Sequence, residues 1–238
     1  MPIEALVSYF NDAYLNSHIV WLGVTLITYA LARKVYVMAS HSPLFHPILV
    51  SALLIISLLI AFDVSQEQYQ KAALPVAFLL GPATIALAIP LYKQLTTLIR
   101  MGWRVVLPVL FGGVLAPTLA WLSIYFFNTP INLQMTMLVK SITTPLAMGT
   151  AEAIGGIASL AAVFVIITGI VGAIFAPLVF RLSQTDCEMA QGVVLGTIAH
   201  AVGTSKAISI SETCAAFATL SVCLNGIVTA ILLPLLFA

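Results

Sequence analysis

Charge is what this chain has least of. Only 7% of its 238 residues are Asp, Glu, Lys or Arg, against about 25% in a typical soluble domain. With 61% hydrophobic residues and a mean hydropathy of +1.12, a water-soluble fold is excluded. The net charge of +1 offers no basic surface for nucleic acid. Cysteine is also scarce. Cys187, Cys214 and Cys223 are odd in number and form no C-x-x-C, so they are expected as small apolar filler. The N-terminus lacks a basic stretch leading into a short apolar run and a small-residue cleavage site. No cleaved signal peptide is therefore expected, and the first spanning segment is expected to act as the insertion signal. Catalytic signatures are missing as well: there is no G-x-S-x-G, no H-E-x-x-H and no phosphate-binding P-loop. One histidine within a spanning segment, with no carboxylate cluster, gives no metal centre. The chain is expected not to be an enzyme and to hold neither metal nor cofactor.

What is present is a series of long, non-alternating apolar runs. In lipid only helices or closed barrels satisfy the backbone, and unbroken runs favour helices. The predicted fold is an all-α integral membrane protein, one polytopic domain over residues 1–238 with seven or eight segments. They are expected at about 18–37, 48–62, 72–92, 105–127, 133–153, 157–180, 190–207 and 214–237, with an interfacial helix over residues 1–16. Pro47 suits the first turn of the second segment. Gly81-Pro82 in the third and Pro145 in the fifth predict interrupted helices, because proline removes a backbone donor and clashes with the preceding turn. Loop cations, Arg33 and Lys34 and then Lys93, Arg100 and Arg104, place the N-terminus outside. Beyond residue 130 the charge pattern leaves orientation open. A spacing near sixty residues links a T-x-x-L-A core at Thr84 to one at Thr143, and G-V-L-A-P ending at Pro117 to A-I-F-A-P ending at Pro177. This points to a repeat relating 72–127 to 133–180.

Polar residues concentrate in two stretches. K-S-I-T-T-P-L-A-M-G-T-A-E, from Lys140 to Glu152, places a lysine, hydroxyls and a proline at expected membrane depth, where polar groups are costly and usually functional. Unwinding ahead of Pro145 turns backbone groups toward a solute, with Ser141, Thr143 and Thr144 adding hydroxyls. Lys140 either meets a small carboxylate or snorkels to the interface. Glu152 either pairs with Lys140 or Lys206, carries a proton, or is an interfacial carboxylate. The second stretch is G-T-I-A-H-A-V-G-T-S-K-A, residues 196–207. Gly192, Gly196 and His200 recur on one helix face, with Gly203 close to that stripe. Thr197, Gly203, Thr204, His200 and Lys206 make it the expected counterpart, giving a cationic pocket between two broken helices.

P-A-T-I-A-L-A-I-P-L-Y (82–92), K-S-I-T-T-P-L-A-M (140–148), I-G-G-I (154–157), F-V-I-I-T-G-I-V-G-A (164–173) and the 196–207 stretch resemble the LrgB/CidB family over roughly 18–238. The similarity extends to the C-terminal half of the plastid glycolate/glycerate translocator. The resemblance implies a multi-pass protein of the bacterial cytoplasmic (inner) membrane, working beside a smaller LrgA/CidA-type membrane protein. It implies either a carrier of small monocarboxylates such as pyruvate, glycolate or glycerate, or a holin/antiholin-like modulator of murein hydrolases and lysis. Separately, a chain this short is expected to need a partner or a second copy to enclose a pathway, and a homodimer is expected. The chain departs from the family pattern at His46, at Lys206, where arginine is common, and at Ser209. Lysine keeps the charge at 206 but loses the bidentate fork.

Overall fold

The computed structural model describes residues 18–40, 42–86 and 88–237. The interfacial helix expected over residues 1–16 lies outside them. The described residues are helices and turns in two compact units that divide at Leu80 and Gly81.

In the first unit, α1 (His18–Met38) packs against α2 (Pro47–Ala61) and α3 (Gln66–Phe78). Pro47 opens α2, where its missing amide would have had no partner. Ser65 caps α3 with a reciprocal box. Its hydroxyl accepts from Gln68 N, while Ser65 N donates to the Gln68 side chain. Replacing Ser65 by Ala should lower stability by about 1 kcal/mol, measurable as a thermal shift of the purified protein. Thr25 Oγ1 and Tyr69 OH lie 3.1 Å apart, and Trp21 meets Tyr69 edge-on, joining α1 to α3.

Helix α3 stops at Phe78, and α4 (Leu80–Ala86) starts after Leu79. The interruption expected at Gly81-Pro82 therefore falls at Leu79. Two more short helices follow, α5 (Ala88–Lys93) and α6 (Leu95–Met101). The third segment is thus a chain of short pieces.

The second unit is built from α7 (Trp103–Tyr125), α8 (Ile131–Leu138), α9 (Thr144–Ala153), α10 (Ala158–Leu182), α11 (Glu188–Ile208) and α12 (Glu212–Phe237). Helices α1, α7, α10 and α12 are long and apolar enough to cross a membrane. Their outward side chains, such as Phe111, Leu119, Phe175 and Ile231, are exposed, as expected where lipid is the solvent.

Residues 139–143 are not helical, and the chain reverses there. Ala147 and Ala151 of α9 share a cluster with Ala161 and Val165 of α10, and the four-residue link 154–157 between these packed helices makes them antiparallel. At the start of α10, Ile157 N donates to Thr136 Oγ1 of α8 at 2.8 Å. So α8 runs inward, the chain turns at residues 139–143, and α9 returns to the face that α8 left.

A second hairpin hides in α11. His200 has φ 41° and ψ −127°, far outside the helical region. Downstream, Gly203 is folded onto Leu195: a Cβ on Gly203 would overlap the Leu195 carbonyl oxygen and lie 2.8 Å from Ala199 Cβ. In a continuous helix those eight residues would span about 12 Å. Residues 188–199 run inward antiparallel to α10, with Gly172 facing Ala199 and Gly169 facing His200. Residues 201–208 run back. Helix α12 then lies parallel to residues 188–199, with Gly192 against Cys214 and Phe217 and Gly196 against Ala218. Because α10 is antiparallel to that segment and α12 parallel to it, α10 and α12 cross in opposite directions.

The unit therefore repeats one motif, a re-entrant hairpin followed by a crossing helix, with the second copy inverted. The sequence records the duplication: G-I-V-G-A-I-F-A-P-L-V-F at 169–180 returns as G-I-V-T-A-I-L-L-P-L-L-F at 226–237, identical at eight of twelve positions. The same shift of fifty-seven carries Thr143, at the first tip, onto His200 at the second. This duplication is distinct from the spacing between 72–127 and 133–180. The topology also gathers Arg104, Arg181 and Lys206 on the face where α7 begins and α10 ends, whereas loops 126–130 and 154–157 of the other face carry no Lys or Arg.

Candidate midplane site

Each tip reaches half depth. His200 packs against Val165 and Gly169, near the middle of the 25-residue α10. The first tip is opened by Pro145, which has no amide to give the Ser141 carbonyl. That carbonyl instead accepts from Asn225 Nδ2 at 2.9 Å, and the same nitrogen donates to Thr197 O at 3.2 Å. One carboxamide, in the middle of α12, thus joins two hairpins that enter from opposite faces. Ser141, Thr197 and Asn225 are almost wholly buried, so both hydrogen bonds are shielded from water. Behind Asn225, α7 comes close through Gly113, where any Cβ would overlap Asn225 Oδ1.

At the second tip His200 Nε2 donates to Val165 O at 2.8 Å. A carbonyl only accepts, so Nε2 carries the proton. Gly169 makes room for the ring, since a Cβ there would fall 2.6 Å from His200 Cε1. Thr204 Oγ1 donates to His200 O at 3.0 Å, tying the returning helix back to the residue at the reversal. A positive φ at a non-glycine residue costs of order 1–3 kcal/mol and persists where the surroundings hold it. Here the ring bond and the Thr204 bond hold it.

At the first tip Lys140 Nζ donates to Ser141 Oγ at 3.2 Å. Thr143 precedes α9 in cap position, yet its side chain makes no cap bond. Thr143 Oγ1 and Thr197 Oγ1 are buried without a hydrogen-bond partner, as is Ser221 Oγ, one turn before Asn225 on α12.

The structure thus brings Lys140, Ser141, Thr143, Thr144 and His200 to half depth, with Gly203 and Thr204 just behind the second tip. It does not bring Glu152 or Lys206 there. Glu152 is exposed near the outer end of α9, and Lys206 lies in the last turn of α11. Because the chain folds back at His200, Lys206 sits about 9 Å along the returning helix. Among the described residues no ion pair joins Glu152 to Lys140 or Lys206. The single stripe expected from Gly192 through Gly203 is interrupted for the same reason: Gly192 and Gly196 face α12, while Gly203 faces back toward Leu195. Gly81 and Pro82 are exposed, and a Cβ on Gly81 would meet nothing within 4 Å. The residue that sequence reasoning missed is Asn225. Its signal was available: it is the lone carboxamide in the 26-residue apolar α12, where polar groups are costly.

Two oppositely entering hairpins, clasped at half depth between crossing helices, define a polytopic α-helical membrane protein built on an inverted repeat. The chain belongs to the LrgB-like family, which matches residues 25–238. It is 35% identical to the uncharacterized protein YwbG of Bacillus subtilis (strain 168), over 92% of this chain and 97% of that protein. It is 32% identical to an uncharacterized protein of Haemophilus influenzae, over 82% and 85%. It is 29% identical to the antiholin-like protein LrgB of Bacillus mycoides, over 89% and 92%. No solved structure matches.

Proposed function

We propose that this protein is a carrier for small monocarboxylates, with its binding site at the two hairpin tips. One observation supports this reading above others: α9 begins at half depth, without a side-chain cap, beside the ammonium of Lys140. The first amides of a helix have no internal partner and carry the positive end of its dipole. A broken helix presenting that end at the midplane suits an anionic substrate group. Lys140 adds a full charge that, in lipid, requires a counter-ion. Thr143 Oγ1, buried and unpartnered, gives a further hydrogen bond to a carboxylate or its hydroxyl. Inverted repeats supply the means to open such a site to either side in turn. The protein relocates its substrate without making or breaking bonds. The concentration of cations on the face where α7 begins supports turning that face to the cytoplasm, in a bacterial cytoplasmic membrane. The smaller LrgA-type membrane protein implied by the family resemblance, or a second copy of this chain, completes the assembly.

The test is uptake of labelled pyruvate, glycolate and glycerate into liposomes holding the purified protein, with and without the small partner. Lys140→Ala should reduce uptake at least about tenfold, the loss of one charge-assisted contact of about 1.5–3 kcal/mol, with yield and melting temperature largely kept. Normal uptake by that variant removes Lys140 from the site. Absence of uptake of every carboxylate tested removes the carrier reading.

A second reading is favoured by the relatives named antiholin-like: a modulator of lysis acting through the membrane. It expects dye leakage from protein-bearing vesicles, or altered lysis in cells, that is indifferent to Lys140.

A further inference from the structure

In the second hairpin the incoming half-helix ends at half depth, so its last carbonyls project into the centre with the negative end of the helix dipole; in the first, α8 ends at Leu138 and the unwound turn 139–143 carries its carbonyls to the centre. Two carbonyls, Ser141 O and Thr197 O, converge on one point. Asn225 Nδ2 occupies it, 2.9 and 3.2 Å away. Unwound carbonyls gathered in this way at the midplane are what a carrier uses to hold a coupling cation. Here the point is filled by a nitrogen with two N–H bonds, one for each carbonyl. The amide is held in that orientation. Turning it over would press Oδ1 against two carbonyl oxygens, and in its present place Oδ1 backs onto Gly113 with Thr229 Oγ1 3.5 Å away.

Taking the carrier reading above as the basis, we propose that Asn225 takes the place of a coupling cation. Its carboxamide permanently neutralises the two tip carbonyls, so that the folded site and its turnover require no metal cation. A carboxylate at position 225 would create that requirement. Asn225→Asp is nearly isosteric, but it removes both N–H donors and sets an anionic oxygen against two carbonyl oxygens. Protonating the carboxyl restores one donor at most. A monovalent cation among these oxygens relieves all of them together. The unpartnered hydroxyls of Thr197, at the second tip, and Ser221, one turn away on α12, are further oxygen ligands on the same seam.

The experiment compares thermal melting of the purified full chain in sodium, potassium and choline chloride at equal ionic strength, for wild type, Asn225→Asp and Asn225→Gln. The wild type is expected to melt alike in all three salts. Asn225→Asp is expected to melt lower in choline and to regain at least about 3 °C in sodium or potassium, a shift on the scale of 1 kcal/mol for a chain of this size. Asn225→Gln, which keeps the amide but displaces it, is expected to be destabilised equally in every salt. Selective stabilisation of the wild type by either metal cation over choline overturns the proposal, as does an Asn225→Asp variant indifferent to cation. If that variant does not fold, the wild-type series still decides, joined by uptake with choline replacing sodium and potassium on both sides. Melting does not depend on transport. A protein that carries no carboxylate refutes the carrier reading while leaving the cation comparison to stand or fall separately.

Discussion

Replacing Asn225 by alanine should produce the largest loss of stability of any side-chain truncation at the hairpin tips, about 2–5 kcal/mol. The carboxamide makes two hydrogen bonds, to Ser141 O and Thr197 O. Both acceptors belong to residues buried almost completely, and leaving a buried acceptor unsatisfied costs about 1–3 kcal/mol each. With Ser141 and Thr197 only 1% and 2% exposed, water has no ready access to replace the donor. The reason Ser141 O depends on Asn225 can be tested separately, because Pro145 is what deprives it of a helical partner. Pro145→Ala returns an amide at the position that serves Ser141 O in a continuous helix. In that background the Asn225→Ala loss should shrink by about 1 kcal/mol or more, a coupling of the size seen for residues sharing a network. Melting of the four proteins of this cycle in one detergent measures it. Strict additivity would mean that Asn225 is not what satisfies the carbonyl opened by Pro145.

The sequence and the structure agree best where the signal was physical and local. Long apolar runs defined the helices His18–Met38, Trp103–Tyr125, Ala158–Leu182 and Glu212–Phe237 to within a few residues, because hydrocarbon thickness dictates their length. The non-helical stretch 139–143 ahead of Pro145 is local in the same sense, because the missing amide is a property of that residue alone. The second interruption was not legible in the same way. His200 adopts its positive φ without being glycine, and the causes are tertiary: a ring bond to Val165 O and space left by Gly169. Without that reversal a continuous helix carries Lys206 onward beyond His200, whereas with it Lys206 returns toward the face from which the helix entered. Asn225 escaped notice for a related reason. It acts on carbonyls 84 and 28 residues away, and carbonyls have no sequence letter. The duplication between 169–180 and 226–237 was present in the letters, but its meaning depends on α10 and α12 crossing in opposite directions.

That opposite crossing rests on how closely residues 188–199 approach α12, and one methyl group tests it. Gly196→Ala is expected to prevent recovery of monodisperse protein, or to lower stability by about 3 kcal/mol or more. A Cβ at Gly196 would overlap the Ala218 carbonyl oxygen and lie 2.9 Å from the Ala218 carbonyl carbon and Cα. These are backbone atoms of a crossing helix and have no rotamer through which to retreat, so the helices must separate, a typical cause of overpacking loss. Separation would also carry Thr197, the next residue, away from Asn225 and undo the clasp between the two tips. Gly149→Ala is the matched comparison. Gly149 is helical and exposed, with nothing within 4 Å of an added Cβ. Alanine there should leave melting unchanged or raise it by up to about 1 kcal/mol through helix propensity and a less free unfolded chain. Thermal melts and size-exclusion profiles of the two variants distinguish the cases. If Gly196→Ala behaves like Gly149→Ala, residues 188–199 do not lie along α12 in this register, and the convergence of Ser141 and Thr197 on Asn225 is lost with it.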